Sequence, residues 1–168
     1  MKSQRYLQWK AYLGPTTCMM CRNLHGKVYP VSEPPKMRPP LHPHCECQIE
    51  FIRAVAAGEA TKNGTDGADW WLKYKGTLPD YYITGQEAKK LGWVPKAGNL
   101  DEVAPGKMIF GGVYRNSNGH LPDGPGRVWY EADINYKWGH RNRSRLLFSS
   151  DGLMFVTYDH YETFQEIV

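Results

Sequence analysis

Prolines at positions 30, 34, 35, 39, 40 and 43 crowd one short stretch, and a close-set pair of cysteines flanks it on each side. Each proline lacks an amide donor and fixes φ at about −65°, which excludes regular helix and any central strand there. The flanking pairs are Cys18-Met19-Met20-Cys21 and Cys45-Glu46-Cys47, the second preceded by Leu41-His42-Pro43-His44. All 4 cysteines of this 168-residue chain fall in its first 47 residues, so the remainder folds without disulfides. A Pro-rich segment builds little core of its own, and a structural zinc ion is one substitute for it. Cys18, Cys21 and Cys45 are then the expected ligands, with Cys47 or His42 as the fourth. One or two disulfides, or free thiols in a small scaffold, are the competing arrangement, and cysteine usage leaves the redox compartment open.

Charge divides unevenly along the chain. Residues 1–63 carry nine Lys/Arg against four Asp/Glu, and residues 64–168 carry twelve against thirteen. A protein that only grips nucleic acid electrostatically is more basic than that second part, whereas an enzyme with a focused arginine cluster need not be. The opening run MKSQRYLQWKAYLG has no apolar core of the kind a signal peptide needs, and no apolar run is long enough to span a membrane.

Residues 1–13 read as a short amphipathic helix or a frayed strand, Arg53–Gly58 as the end of a helix, and Glu59–Gly64 as a polar linker with two breakers. That divides the chain near residue 63 into a Cys/His module (1–63) and a compact domain (64–168). His25 reads as a surface or packing residue. In the compact domain Asp66 is placed to cap a helix over 67–75, with Ala68, Trp71 and Leu72 on one face and Gly76 ending it. Leu78-Pro79-Asp80 turns the chain. Thr84 and Glu87 have the spacing of a capping box for a second helix, with Ala88 and Leu91 facing inward and Gly92 stopping it. A third short helix fits between Asn99 and Pro105. From Met108 onward the pattern is β, with strands expected near 108–113, 128–134, 143–149, 153–158 and 163–167. Asn118-Gly119, Asp123-Gly124 and Asp151-Gly152 are turn dipeptides. Helices first and an antiparallel sheet afterwards give an α+β fold: N-terminal helices on a twisted antiparallel sheet, preceded by the small Pro-rich module.

The last third of the chain carries the candidate chemistry. Glu131, Arg141, Arg145 and His160 sit in strand-like runs that a sheet can bring to one face, and together they suffice to cleave RNA without a metal. Alternation in 128–134 puts Trp129, Glu131 and Asp133 on one side and Val128, Tyr130, Ala132 and Ile134 on the other. Two acids on one face are either surface salt bridges or partners of Arg141 and Arg145. In the second case Asp133 fixes an arginine by a bidentate pair and Glu131 is left free as a base.

Two resemblances extend this reading. Cys18–Cys21, Leu24–Pro30 and Pro39–Cys47 resemble the Cys/His C-terminal segment of phage minor head (head morphogenesis) proteins, a segment that also occurs upstream of toxin domains. The runs Asp66–Leu72, Leu78–Thr84, Glu87–Val94, Gly98–Lys107, Glu131–Tyr136, Arg141–Arg145 and Thr157–Phe164 resemble the barnase family of guanyl-specific bacterial ribonucleases, without a gap. The second resemblance implies the microbial ribonuclease fold and a metal-independent endoribonuclease acting on single-stranded RNA. It makes Glu131 the general base, His160 the general acid, Arg141 and Arg145 the phosphate ligands and Asp133 their support. Tyr114, Arg115, Asn116, Ser117 and Asn118 then form the guanine loop, beside Tyr161. The family's active-site lysine is Gly85 here, its loop glutamate is Asn118, and a phenylalanine is His140. The resemblance further implies a small acidic inhibitor of the barstar kind. A toxin domain carried by a phage or secretion product, reaching a target-cell cytoplasm without a signal peptide, is the expected setting. The alternative is a non-catalytic phage head assembly or nucleic-acid-binding protein whose working part is the Cys/His module.

Overall fold

The computed structural model describes residues 6–168. The chain runs β1 (Tyr6–Lys10), α1 (Met19–Leu24), β2 (Val28–Pro30), β3 (Gln48–Phe51), α2 (Ala68–Lys75), β4 (Tyr82–Thr84), α3 (Gly85–Lys90), α4 (Leu100–Val103), β5 (Met108–Tyr114), β6 (Trp129–Asp133), β7 (Arg145–Ser149), β8 (Met154–Thr157) and β9 (Gln165–Glu166). A three-stranded sheet β2-β1-β3 holds the N-terminal module, and a six-stranded sheet β4-β5-β6-β7-β8-β9 holds the rest. This is the expected α+β architecture. The first thirteen residues contain strand β1 rather than a helix; the part of that expectation covering residues 1–5 lies outside the described residues.

Local signals fixed several elements. Thr84 and Glu87 form the reciprocal capping box at α3. Gly76 ends α2 at φ 72°, a conformation glycine adopts without steric cost. Helix α4 lies between Asn99 and Pro105 as its flanking residues suggest. Other local readings fail. The N-cap of α2 is Gly67, not Asp66, and makes no side-chain bond. Leu91 is exposed, and Trp93 takes the inward place beside Ala88 and Leu100. Strand β4 falls where the sequence pattern shows only the approach to a helix cap. It adds to β5 in parallel, so the sheet is antiparallel only from β5 to β9.

The stretch between the two sheets is neither a helix end nor a solvated linker. Val55 bridges Ile167 in parallel, and Ala60 and Thr61 are buried. The reason is Asp69, wholly buried in the first turn of α2. Its carboxylate accepts from Gly58 N (2.6 Å), Ala60 N (3.1 Å) and the Thr61 hydroxyl (2.8 Å). A buried charge is tolerable only when hydrogen-bonded in this way. Tyr158 adds a bond from its hydroxyl to the Ala60 carbonyl. The two sheets also share a core: Tyr6 and Val28 pack with Leu121, Trp129, Leu147, Phe155 and Phe164.

Candidate active site

Glu131 is aimed by an irregularity in the sheet. Phe110 pairs with Ala132 and Gly112 with Glu131, so Gly111 is an extra residue opposite them. Such a bulge bends the strand and re-aims its neighbours. A Cβ on Gly111 would lie 2.7 Å from Glu131 Cγ, so the carboxylate arm rests directly on bare backbone. Two residues on, Asp133 pairs in register with Arg145. Asp133 is 1% exposed and takes a bidentate pair from Arg141, Nε to Oδ2 and Nη2 to Oδ1, both at 2.6 Å. That bond is the main reason the Arg141 guanidinium is held above its ordinary range. Arg145 Nε lies 3.1 Å from Asp133 Oδ1 without the alignment of a hydrogen bond, and its Nη1 donates to the Asn142 and Ser144 carbonyls. One buried carboxylate therefore sits between two arginines.

The loop after β8 closes the site. His160 and Tyr161 both have positive φ, 60° and 73°. Consecutive non-glycine residues in that region are strained and persist only where neighbours over-determine them. Here Asp159 does so: it accepts from the Thr157 hydroxyl (2.9 Å), Thr163 N (2.9 Å) and the Thr163 hydroxyl (2.5 Å). Burial opposes ionisation of Asp159, and the Thr163 and Thr157 bonds outweigh it, leaving the carboxyl below its usual range. Tyr161 N donates to Thr157 Oγ1 and His160 N to the Arg143 carbonyl. So held, the Tyr161 hydroxyl donates to Glu131, and burial and that bond push its pKa up. His160 is exposed, its ring 4.7 Å from that of Tyr161. Tyr161 thus touches Glu131 with its hydroxyl and the His160 ring with its own, and Arg141 and Arg145 lie close enough to act on that tyrosine.

Beside Glu131 opens a cleft of about 440 Å³ lined by Val113, Tyr114, Arg115, Asn116, Ser117 and Asn118. Tyr114 stacks on Tyr161, ring centres 5.1 Å apart. The Asn116 side chain points inward: its oxygen accepts from Leu121 N and its amide donates to the Leu121 carbonyl, so it staples the loop. The Asn118 side chain turns back on its own loop. Its Oδ1 accepts from His120 N at 3.1 Å, and its Nδ2 lies 3.1 Å from His120 Nδ1. His140 is engaged with the Lys96 carbonyl. A larger cleft of about 620 Å³ near Leu72, Tyr130 and Phe148 includes Lys73 and Asp151 but no Glu/His pair.

The Cys/His residues also converge. All four cysteines are free thiols. Cys18, Cys21 and His42 lie together, as do Cys21, Cys45 and Cys47. All five candidate ligands are thus in one place, far in sequence but joined through Cys21. Sequence reasoning missed three positioning residues: Gly111, Asp159 and His120. Asp159 has a local signal in Thr157-x-Asp159 and Thr163. Gly111 has none, because Glu131 reaches it from another strand, and the link from His120 to Tyr161 joins loops far apart in sequence.

Residues 68–168 match the family model described as ribonuclease, and residues 1–50 match that of Phage Mu protein F like protein. A ribonuclease of Heyndrickxia coagulans is 55% identical over 109 residues, covering 64% of this chain and 99% of the relative. Ribonucleases of Bacillus intermedius and Bacillus pumilus are 55% identical over 109 residues, covering 67% of each. With that family match extending over more than half of its length, the chain belongs to the ribonuclease family and is an endoribonuclease.

Proposed function

We propose that the chain cleaves single-stranded RNA 3′ of guanosine, with Glu131, His160, Arg141 and Arg145 as its catalytic set. The observation that carries this is the Tyr161 bond to Glu131 at the lining of the 440 Å³ cleft, with Arg141 and Arg145 both held on Asp133 two residues along the same strand. Glu131 removes the 2′-hydroxyl proton, and that oxygen attacks the adjacent phosphorus. The bond from phosphorus to the 5′-oxygen breaks, and His160 donates a proton to the leaving oxygen. A 2′,3′-cyclic phosphate results, and water opens it with the two roles reversed. General acid–base transfer of this kind contributes about 10²–10⁴-fold. Arg141 and Arg145 stabilise charge on the non-bridging oxygens. DNA lacks the 2′-hydroxyl and is bound without being cut.

The resting bond from Tyr161 to Glu131 holds the base carboxylate in place, and the 2′-hydroxyl takes that position when RNA binds. Base preference rests on main-chain groups of residues 115–118 and on the Tyr114–Tyr161 stack, since the Asn118 amide is occupied by His120. Guanine preference is accordingly weaker than a loop carboxylate gives. The match of residues 1–50 supports a phage-associated carrier; delivery to a target-cell cytoplasm and a barstar-like acidic inhibitor over the arginines complete the proposal. Among the described residues no helix is long and apolar enough to cross a membrane.

The test is an assay on single-stranded RNA containing all four bases, in EDTA, beside His160→Ala. Cleavage 3′ of guanosine that survives EDTA and falls at least about 100-fold in the variant is expected. Equal inertness of both proteins on every RNA would leave the phage-head reading standing.

A further inference from the structure

The N-terminal module offers a second, independent site. Its small core is made largely of potential ligands: Cys21 and Cys47 pack with Trp9 and Ala11, and Cys18 and Cys45 lie at the edge. Helix α1 begins at Cys18, whose sulfur accepts from Cys21 N at 3.4 Å, so one turn brings both sulfurs of the CxxC to the same side. The Pro-rich segment then returns without regular structure and brings His42 beside both CxxC sulfurs and Cys45 beside that of Cys21. His42 Nε2 lies 3.2 Å from Cys18 Sγ and 3.3 Å from Cys21 Sγ, and Cys45 Sγ lies 3.8 Å from Cys21 Sγ. Sulfurs bound at about 2.3 Å to one tetrahedral zinc are about 3.8 Å apart.

The tautomer of His42 distinguishes it from Cys47 as the fourth ligand. His42 Nδ1 lies 2.8 Å from the Pro43 carbonyl, which only accepts, so Nδ1 carries the proton. In the neutral ring Nε2 is then left with its lone pair, and it points at the two CxxC sulfurs. A ring nitrogen donating to a backbone carbonyl while the other faces a thiolate cluster is the arrangement of a metal-bound histidine. Cys47 is 9% exposed and packs against Trp9 on the apolar side of the cluster.

We infer that Cys18, Cys21, His42 and Cys45 bind one zinc ion in a tetrahedral site, with Cys47 packed behind it. The three thiols release their protons on binding, and His42 binds as the neutral imidazole. The ion ties α1 to the far end of the Pro-rich segment, whose two ends the β2-β1-β3 sheet already holds. It takes no part in RNA cleavage.

The full-length chain, purified reduced, is assayed for bound zinc and then exchanged with cobalt. One metal per chain is expected, with thiolate-to-cobalt charge transfer and the intense visible bands of tetrahedral cobalt. Cys18→Ser, Cys21→Ser, Cys45→Ser and His42→Ala each lose stoichiometric metal. Cys47→Ser keeps one equivalent and weakens binding by no more than about 10–100-fold, the range of a residue behind the ligands. Intact mass and thiol titration on the same samples detect any disulfide. Because loss of metal in a variant also follows from unfolding, circular dichroism and RNA cleavage are recorded for each. Chains that hold no zinc or cobalt overturn the inference, as do two disulfides, or retention of metal by His42→Ala together with its loss in Cys47→Ser.

Discussion

Gly111→Ala isolates the geometry of the proposed base. The added Cβ would sit 2.7 Å from Glu131 Cγ and 2.9 Å from its Oε1, where ordinary contact begins at 3.4 Å. The Glu131 arm must therefore move by about 0.7 Å or leave its rotamer. Gly111 has no positive φ, so alanine is compatible with the backbone there. The Tyr161 hydroxyl follows or loses Glu131, since theirs is the only hydrogen bond joining that loop to the carboxylate among the described residues. Misplacing a reacting group by about 1 Å costs on the order of 10²-fold, inside the range for losing a general base altogether. The expected result is a kcat about 100-fold lower on a guanosine-containing dinucleotide, with KM within about threefold, because the loop of residues 115–118 and both arginines keep their own partners. Stability falls by no more than about 1–3 kcal/mol, the cost of overpacking. Steady-state kinetics and urea unfolding on one preparation check both. A kcat within threefold of wild type would refute the claim that the bulge at Gly111 positions Glu131, and a fall equal to that of complete unfolding would make it a folding residue.

Two further substitutions probe buried charge. Asp133→Asn leaves Arg141 and the 4%-exposed Arg145 without their carboxylate, which should cost about 3–5 kcal/mol and lower Tm by roughly 6–20 °C; a loss under about 1 kcal/mol in thermal unfolding would contradict it. Glu166 in β9 is 7% exposed, and burial pushes its pKa up to about 7 from 4.5, against a smaller opposing pull from Lys73. Its folded pKa lies above the unfolded value, so the chain loses stability as pH rises from about 4.5 to 7, and Glu166→Gln should be about 1–3 kcal/mol more stable than wild type at pH 8 with the gap closing by pH 4. Urea unfolding at both pH values reads this directly, and a constant gap would exclude Glu166 as its source.

What was legible in the sequence follows the range of the forces involved. Thr84 and Glu87 satisfy each other's backbone groups within one turn, so their capping box can be read from spacing. Asp66 and Asp69 offer similar acids to the same helix end, and spacing chose the wrong one. Asp69 is decided by Gly58, Ala60 and Thr61, whose amides arrive only when the segment before the helix folds back. Alternation in β6 put Glu131 and Asp133 on one face, yet the bulge that aims Glu131 depends on a strand seventeen or more residues earlier. Strand β4 is three residues long and exists because β5 offers it a parallel edge, which no local pattern announces.

The division of labour between the two family matches is also less clean in space than in sequence. Val28 N donates to the His120 carbonyl at 2.6 Å, and a Cβ on Gly26 would collide with the Glu162 carbonyl and crowd the His120 ring. The turn before β2 therefore wedges between the loop of residues 115–120 and the loop that carries His160. His120 Nδ1 lies 3.2 Å from the Tyr161 carbonyl and 3.1 Å from Asn118 Nδ2. One neutral tautomer can donate to the first or accept from the second, not both, so the two loops compete for a single ring nitrogen. Burial lowers the His120 pKa, which keeps the ring in that neutral, two-choice form. Residues contributed by the phage-like segment thus set the position of the ring between the loop of residues 115–120 and the loop that carries His160. The module is folded against the ribonuclease through backbone contacts that a flexible carrier would not need.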